Sequence, residues 1–213
     1  MSLMAPLSHS LRRLIKGIRV PELPHMEPAG LSYFENELSR CTFYLEYGSG
    51  GSTVMAAKLG KEFISVENSR LYGNAVRRKV GPASKGTLIY ADTGLTGDWG
   101  IPVFKRLSKR RAARWRSYAQ APWDLILGGS RRPDLVLVDG RFRVASALTC
   151  VKYLAGTPAK ILVDDYTDRP HYREIEMFAD LKETRGRIAV FMPKPFEAGK
   201  LDGRIFFYGT DWR

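Results

Sequence analysis

Apolar runs of strand length alternate with amphipathic stretches of helix length along most of this chain. The runs are rich in β-branched and aromatic residues and predict strands at 43–46, 62–68, 86–94, 133–140 and 160–166. Helices are predicted between the runs, at 29–40 and 144–154 from apolar residues at helical spacing, and at 53–59, 69–80 and 103–120 from the residues that begin or end them. Repeated strand–helix units predict an α/β, doubly wound, mostly parallel sheet with helices on both faces.

The last 40 residues follow a different pattern. Apolar residues from Tyr172 to Leu181 predict one more helix, and the runs at 187–192 and 204–209 predict two final strands. A Pro/Gly-containing loop joins these strands and no helix is predicted between them. Strands joined in this way are expected to be antiparallel.

The chain is expected to form one domain, at 29–213, preceded by an N-terminal arm at 1–28. The arm has no sustained hydrophobic period, although one short basic helix is predicted at 9–18. A basic insertion is expected at about 101–132. No apolar run reaches the ~20 residues of a membrane span, so a cytoplasmic protein without a membrane partner is predicted.

Composition adds a strong positive charge. The formal net charge is +12, and the segment from Lys105 to Arg132 contains nine basic residues and a single acid, Asp124. Such a segment attracts anions, nucleic acid among them, but it also fits a solvated helix face. Cys41 and Cys150 are far apart in apolar surroundings and are predicted to be core thiols.

A glycine-rich turn follows the first strand. Gly48, Gly50 and Gly51 allow a tight turn and a close approach to a ligand, and Ser52 or Thr53 can cap the helix that follows. A strand that enters a helix through glycines is typical of a nucleotide-binding turn.

Each of the five predicted parallel strands ends in an acid. In open parallel sheets, ligands bind beyond these strand ends. Single acids there are often turn or helix caps, but the repetition favours a shared site. A ring of carboxylates suits a cationic ligand better than a pyrophosphate. The acids are Glu46, Glu67, Asp92, Asp139 and the pair Asp164/Asp165.

Together these residues resemble the class I S-adenosylmethionine-dependent methyltransferases from about residue 29 onwards. Glu46-Tyr47-Gly48-Ser49-Gly50 matches the family's acid–Gly-x-Gly motif, with Ser52 at the usual third glycine. The resemblance implies a Rossmann-like, seven-stranded sheet with a reversed last strand. It also implies S-adenosylmethionine contacts at Glu46, Gly48, Ser49, Gly50, Ser52, Thr53, Glu67, Asn68, Asp92, Thr93 and Asp139.

A narrower resemblance concerns the metal-dependent, catechol-type O-methyltransferases. It implies a Mg²⁺ site at Asp139, Asp164 and Asp165, since converging carboxylates repel unless a cation lies among them. The lysine base of those enzymes is replaced here by Phe142, and an arginine cannot substitute for it.

The catalytic candidates are Asp139, Arg141 and His171. Arg141, Arg143 and Arg169 could clamp a carboxylate or phosphate on the acceptor, or form ordinary salt bridges. His171 is a candidate proton acceptor or a surface residue.

Three functions therefore remain open. The first is an S-adenosylmethionine-dependent methyltransferase acting on an anionic or hydroxylated small molecule. The second is a nucleic-acid methyltransferase or binder that uses residues 105–132. The third is a non-catalytic methyltransferase-like binding protein. Neither the methyl acceptor nor the oligomeric state follows from the sequence.

Overall fold

Seven strands form one sheet in the order β3-β2-β1-β4-β5-β7-β6 in the computed structural model, which describes residues 18–213. Strands β1 to β5 pair in parallel, and β7 pairs antiparallel to both β5 and β6. The strands are β1 (Phe43–Tyr47), β2 (Glu62–Glu67), β3 (Gly86–Tyr90), β4 (Leu135–Val138), β5 (Lys160–Val163), β6 (Ala179–Arg185) and β7 (Ile188–Pro193).

Helices cover both faces of the sheet, because alternate side chains of each strand enter two separate cores. In β1, Leu45 and Tyr47 pack in the larger core, and Tyr44 packs in the smaller one. The helices are α1 (Pro28–Arg40), α2 (Gly51–Lys58), α3 (Arg70–Val80), α4 (Lys109–Gln120), α5 (Trp123–Gly128), α6 (Arg143–Leu154) and α7 (Ala198–Tyr208), with 3₁₀ turns at Asp98–Gly100 and Pro170–Met177.

The predicted fold class is confirmed: an α/β, Rossmann-like, doubly wound seven-stranded sheet with a reversed last strand. Cys41 and Cys150 are buried free thiols, as predicted. Among residues 18–213, no helix has the length and apolar character that crossing a membrane requires. Most of the helix predicted at 9–18 lies outside the described residues.

The C-terminal elements differ from the prediction. The predicted helix 172–181 is a 3₁₀ helix followed by β6, and the predicted strand 204–209 is the end of α7. Strand β6 is a polar edge strand with mostly exposed side chains, so it carries no apolar strand signal. In α7, only Leu201, Ile205 and Tyr208 turn towards the core, at helical spacing.

Candidate functional site

The glycine turn brings the ends of β1 and β4 into direct contact. Gly48 has φ of +96°, and a Cβ there would lie 2.7 Å from the Gly140 nitrogen and 2.9 Å from the Asp139 carbonyl carbon. Only glycine fits both this backbone conformation and this space. The close approach places Asp139 beside the glycine turn.

Glu46 lies beneath the turn and is fully buried. Its carboxylate accepts hydrogen bonds from Tyr44 Oη (3.0 Å), Ser52 Oγ (2.5 Å) and Thr53 Oγ1, which itself accepts from the Gly50 N–H at 2.8 Å. Burial raises the pKa of Glu46, and these hydroxyl donors oppose that rise. The predicted residues do come together, but in this arrangement Glu46 organises the turn and the start of α2.

Glu67 and Asn68 connect the ends of the next two strands. Glu67 Oε1 accepts from the Ser69 N–H at 2.6 Å, and Oε2 accepts from the Ser49 N–H at 3.3 Å. Asn68 Nδ2 donates to Thr93 Oγ1 at 3.0 Å. Burial raises the pKa of Glu67 to about 7, although the backbone N–H groups oppose this rise.

Asp92 is the most exposed of the acids predicted at the strand ends, with 48% of its side chain accessible. It accepts from the Gly94 N–H at 2.9 Å and lies 3.4 Å from Arg114. Thr93 is buried, and its carbonyl accepts from Trp115 Nε1. Beside Thr93 there is a cavity of about 360 Å³, bounded on its other side by α4.

The acids after β4 and β5 surround the Arg143 guanidinium. Arg143 lies 3.1 Å from Asp139 Oδ1 and 2.9 Å from Asp165 Oδ2, and it donates to the backbone carbonyls of Gly140 and Asp164. Two further arginines complete the cluster: Arg169 pairs with Asp165, and Arg187 pairs with both Asp164 and Asp165.

The two aspartates that contact Arg143 are shifted in opposite directions. Burial raises the pKa of Asp139 to about 7 even though 27% of its side chain is accessible, with Arg143 opposing and Asp164 and Asp165 adding to the rise. Burial also acts to raise the pKa of Asp165, but its three arginine partners outweigh it and lower that pKa.

The predicted Mg²⁺ site finds no support. Within residues 18–213, no group of three or more His, Cys, Asp or Glu side chains is placed to hold a metal ion. The guanidinium of Arg143 occupies the position between the carboxylates and supplies the positive charge that the sequence argument had assigned to a metal.

Phe142 takes no part in this polar cluster. Its side chain is fully buried and packs against the rings of Trp115 and Tyr118, with centroids 5.7 and 5.4 Å away. A base at this position of the chain would point into the core.

The catalytic candidates Arg141 and His171 have different surroundings. Arg141 is 8% exposed, and no described residue forms an ion pair with it. His171 lies in the 3₁₀ helix with its ring against Tyr172, and burial lowers its pKa. No hydrogen bond joins His171 to Asp139 in the part of the chain that the structure describes, so its role as a proton acceptor stays a prediction.

Sequence reasoning missed Tyr172, Arg187 and the N-terminal segment as parts of this region. Arg187 reaches Asp164 and Asp165 because β7 runs antiparallel beside β5. The segment lies on the glycine turn, since a Cβ on Gly51 would be 2.1 Å from the Leu23 carbonyl. The contact of Arg187 was missed because the C-terminal hairpin was predicted wrongly. The contact of the N-terminal segment was missed because nothing in the hydrophobic pattern of the arm indicated it.

The fold agrees with known structures. No protein-family model matches the chain, and no curated protein matches it. A methyltransferase-like protein from Silicibacter pomeroyi DSS-3 is 34% identical with a TM-score of 0.75, over 91% of this chain and 100% of that one.

A more distant likeness extends to an O-methyltransferase from Bacillus cereus that was solved in complex with SAH. It is 13% identical with a TM-score of 0.51, over 90% of this chain and 93% of that one, and it shows the fold alone. With the first relative matched over its whole length, the chain belongs to the class I S-adenosylmethionine-dependent methyltransferase-like proteins.

Proposed function

We propose that this protein transfers the methyl group of S-adenosylmethionine to a small-molecule acceptor. The observation that supports the proposal is the contact of Gly48 with the backbone of Asp139 and Gly140, which joins the glycine turn to the end of β4. A cofactor held by the turn and an acceptor held at Asp139 would therefore be neighbours. Such positioning supplies much of the rate of a transfer reaction.

The residues at the strand ends fit the proposed cofactor. S-adenosylmethionine is cationic at its sulfonium and ammonium groups, and it supplies the activated methyl group. We propose that Gly48, Ser49 and Gly50 lie against its methionine portion, that Glu67 accepts hydrogen bonds from the ribose, and that Asp92 faces the adenine. Carboxylates at neighbouring strand ends attract a positively charged ligand in a partly buried cleft.

Asp139 is proposed as the group that accepts the acceptor's proton. Its side chain is accessible, and its pKa of about 7 is suited to proton transfer near neutral pH. Arg143 holds the carboxylate by Oδ1 and so fixes its orientation. The acceptor group would thus be one that loses a proton on methylation, such as a hydroxyl.

Turnover with a panel of hydroxylated acceptors tests this proposal. Asp139→Asn should lower kcat by about 10²–10⁴, the usual contribution of a general base. Asp139 ionises only above about pH 7, so wild-type kcat should rise with pH up to that value and then level off, while the variant stays flat. EDTA should have no effect, because Arg143 already fills the space between the carboxylates.

An Asp139→Asn enzyme that keeps its rate and pH profile would refute the role of Asp139. Loss of turnover in EDTA, restored by Mg²⁺, would revive the metal-dependent mechanism. Absence of turnover with every acceptor, despite cofactor binding, would favour the non-catalytic alternative.

The nucleic-acid alternative and the cytoplasmic location stay predictions. The aromatic side chains within the basic segment are turned inwards, since Trp115, Tyr118 and Trp123 are buried. Phe104 and Phe206, in contrast, are exposed and lie beside arginines of α4. These exposed rings are compatible with the nucleic-acid alternative. A nucleic-acid complex formed there should weaken steeply with added salt.

A further inference from the structure

Three arginines pair with the acids at the carboxyl ends of β4 and β5. The three acids there, Asp139, Asp164 and Asp165, are all engaged by Arg143, Arg169 and Arg187. Arg141 lies two residues before Arg143, in the loop between β4 and α6. Among residues 18–213, no ion pair joins Arg141 to an acid, whereas Arg143, Arg169 and Arg187 each have one.

Arg141 is also poorly solvated. It is 8% exposed, and its Nε has no hydrogen-bond partner. Burial lowers the pKa of Arg141, and the charges of Arg143 and Arg169 lower it further. Removing a cation from water without giving it a partner is unfavourable, and an anion arriving from outside would offset this effect.

A second unpaired donor lies near the first. Tyr172 is fully buried, and its hydroxyl has no hydrogen-bond partner. Burial raises the pKa of Tyr172, while three neighbouring arginines oppose that rise. These arginines are Arg143, Arg169 and Arg141. A buried donor that makes no hydrogen bond is destabilising, so two such groups in one place indicate a missing ligand.

We infer that the Arg141 guanidinium and the Tyr172 hydroxyl bind an anionic group, a carboxylate or a phosphate, carried by the methyl acceptor. The inference rests on the proposed function, which places the acceptor at Asp139, two residues from Arg141. A guanidinium suits this role because its N–H groups pair with two oxygens of a carboxylate or phosphate at once. The acceptor is then a molecule with a proton-bearing nucleophile at one end and an anion at the other.

The experiment measures binding of three probes, benzoate, inorganic phosphate and neutral benzamide, to the full-length protein. Each is titrated by calorimetry into the free protein and into protein saturated with S-adenosylhomocysteine. Benzoate or phosphate should bind at least 10-fold more tightly than benzamide, and the tighter of the two anions identifies the class. Arg141→Gln should weaken that anion at least 10-fold, and Tyr172→Phe should weaken it about threefold.

Arg173→Gln is the matched control, because Arg173 is exposed on the same 3₁₀ helix as Tyr172. It removes the same charge and should leave anion binding unchanged. Equal binding of benzoate, phosphate and benzamide, or equal loss in Arg141→Gln and Arg173→Gln, would overturn the inference.

Affinity for S-adenosylhomocysteine shows whether the anion bound at Arg141 belongs to the methyl acceptor or to the cofactor. Arg141→Gln should leave it unchanged within threefold. A 10-fold loss, with benzoate competing against S-adenosylhomocysteine, would assign the anion to the cofactor's own carboxylate and overturn the acceptor assignment. If wild-type protein bound no S-adenosylhomocysteine, the proposed function would fail, while the titrations of the free protein would still decide the anion site.

The Tm distinguishes the proposed anion-binding role of Arg141 from a role in supporting the fold, because the two roles predict opposite changes on substitution. Without ligand, Arg141→Gln and Arg141→Met should have the same Tm as the wild type or a higher one, because each removes an unpaired buried charge. Phosphate or benzoate should raise the Tm of the wild type only. A fall in Tm in both variants would show that Arg141 supports the fold and would contradict the inference.

Discussion

Arg143 is the residue that holds the proposed acceptor site together. It is almost fully buried, and it links two carboxylates and two backbone carbonyls from the loops after β4 and β5. Burial acts to lower the pKa of Arg143, but the charge of Asp139 and its neighbours outweighs burial and raises it. The guanidinium therefore stays charged, and the loops that carry Asp139 and Asp165 are fixed relative to each other.

Arg143→Met should destabilise the protein by about 3–5 kcal/mol, because it leaves buried carboxylates without their partner. Urea unfolding measures this free energy. Arg169→Met is the control, since Arg169 pairs with Asp165 from a more exposed position and its loss should cost about 1 kcal/mol or less. Equal losses in the two variants would show that Arg143 has no special role.

At the residue scale, the sequence predicted the acids well and their partners in part, since the salt bridges offered as an alternative for Arg143 and Arg169 are present. Glu46, Glu67, Asp92 and Asp139 lie at strand ends because parallel strands bring their carboxyl ends to one edge. That Glu46 faces inwards, and that Arg187 reaches Asp164 and Asp165, depends on side-chain directions and on strand register. Neither can be read from spacing along the chain.

Among the elements, the segment at 18–27 has a position that its composition does not indicate. Glu22 forms ion pairs with Lys58 of α2 and Lys79 of α3 on one side, and the His25 carbonyl accepts from Arg187 on the other. Between these anchors, the backbone of Leu23 and Pro24 lies against Gly51. The segment therefore crosses the glycine turn, where the cofactor is proposed to bind.

Gly51→Ala should displace this segment, since the added methyl group would lie 2.1 Å from the Leu23 carbonyl. Limited proteolysis with mass spectrometry should show at least threefold faster cleavage within residues 18–27. Gly203→Ala is the control, because that helical glycine has no neighbour within 4 Å of an added Cβ. Unchanged cleavage in Gly51→Ala would refute the contact.

The elements that sequence reasoning placed correctly are those with a strong period. The parallel strands and the helices between them have buried faces that repeat regularly. The type of element is wrong at β6 and at the end of α7, α5 was not predicted, and α4 begins at Lys109 instead of residue 103. An exposed edge strand has no apolar face, and Phe206 and Phe207 form a β-prone run although both are exposed on a helix.

For the whole molecule, two concentrations of positive charge bear on function within residues 18–213. One lies on α4, whose apolar residues enter the core while Arg110, Arg111 and Arg114 line the cavity beside Thr93. The other surrounds Asp139, Asp164 and Asp165 beneath the proposed acceptor. The net charge of +12 alone does not distinguish nucleic acid from a small anion, and the small anionic acceptor proposed above rests on the buried arginines Arg141 and Arg143.

Binding of S-adenosylhomocysteine tests the central claim most directly. Calorimetry should find one site per chain. Glu67→Gln should weaken binding about 10-fold, because hydrogen bonds to a charged group contribute about 1.5–3 kcal/mol. Glu197→Gln, which changes an exposed acid before α7, should leave the affinity unchanged. The absence of heat and of any thermal shift with both S-adenosylmethionine and S-adenosylhomocysteine would contradict the account.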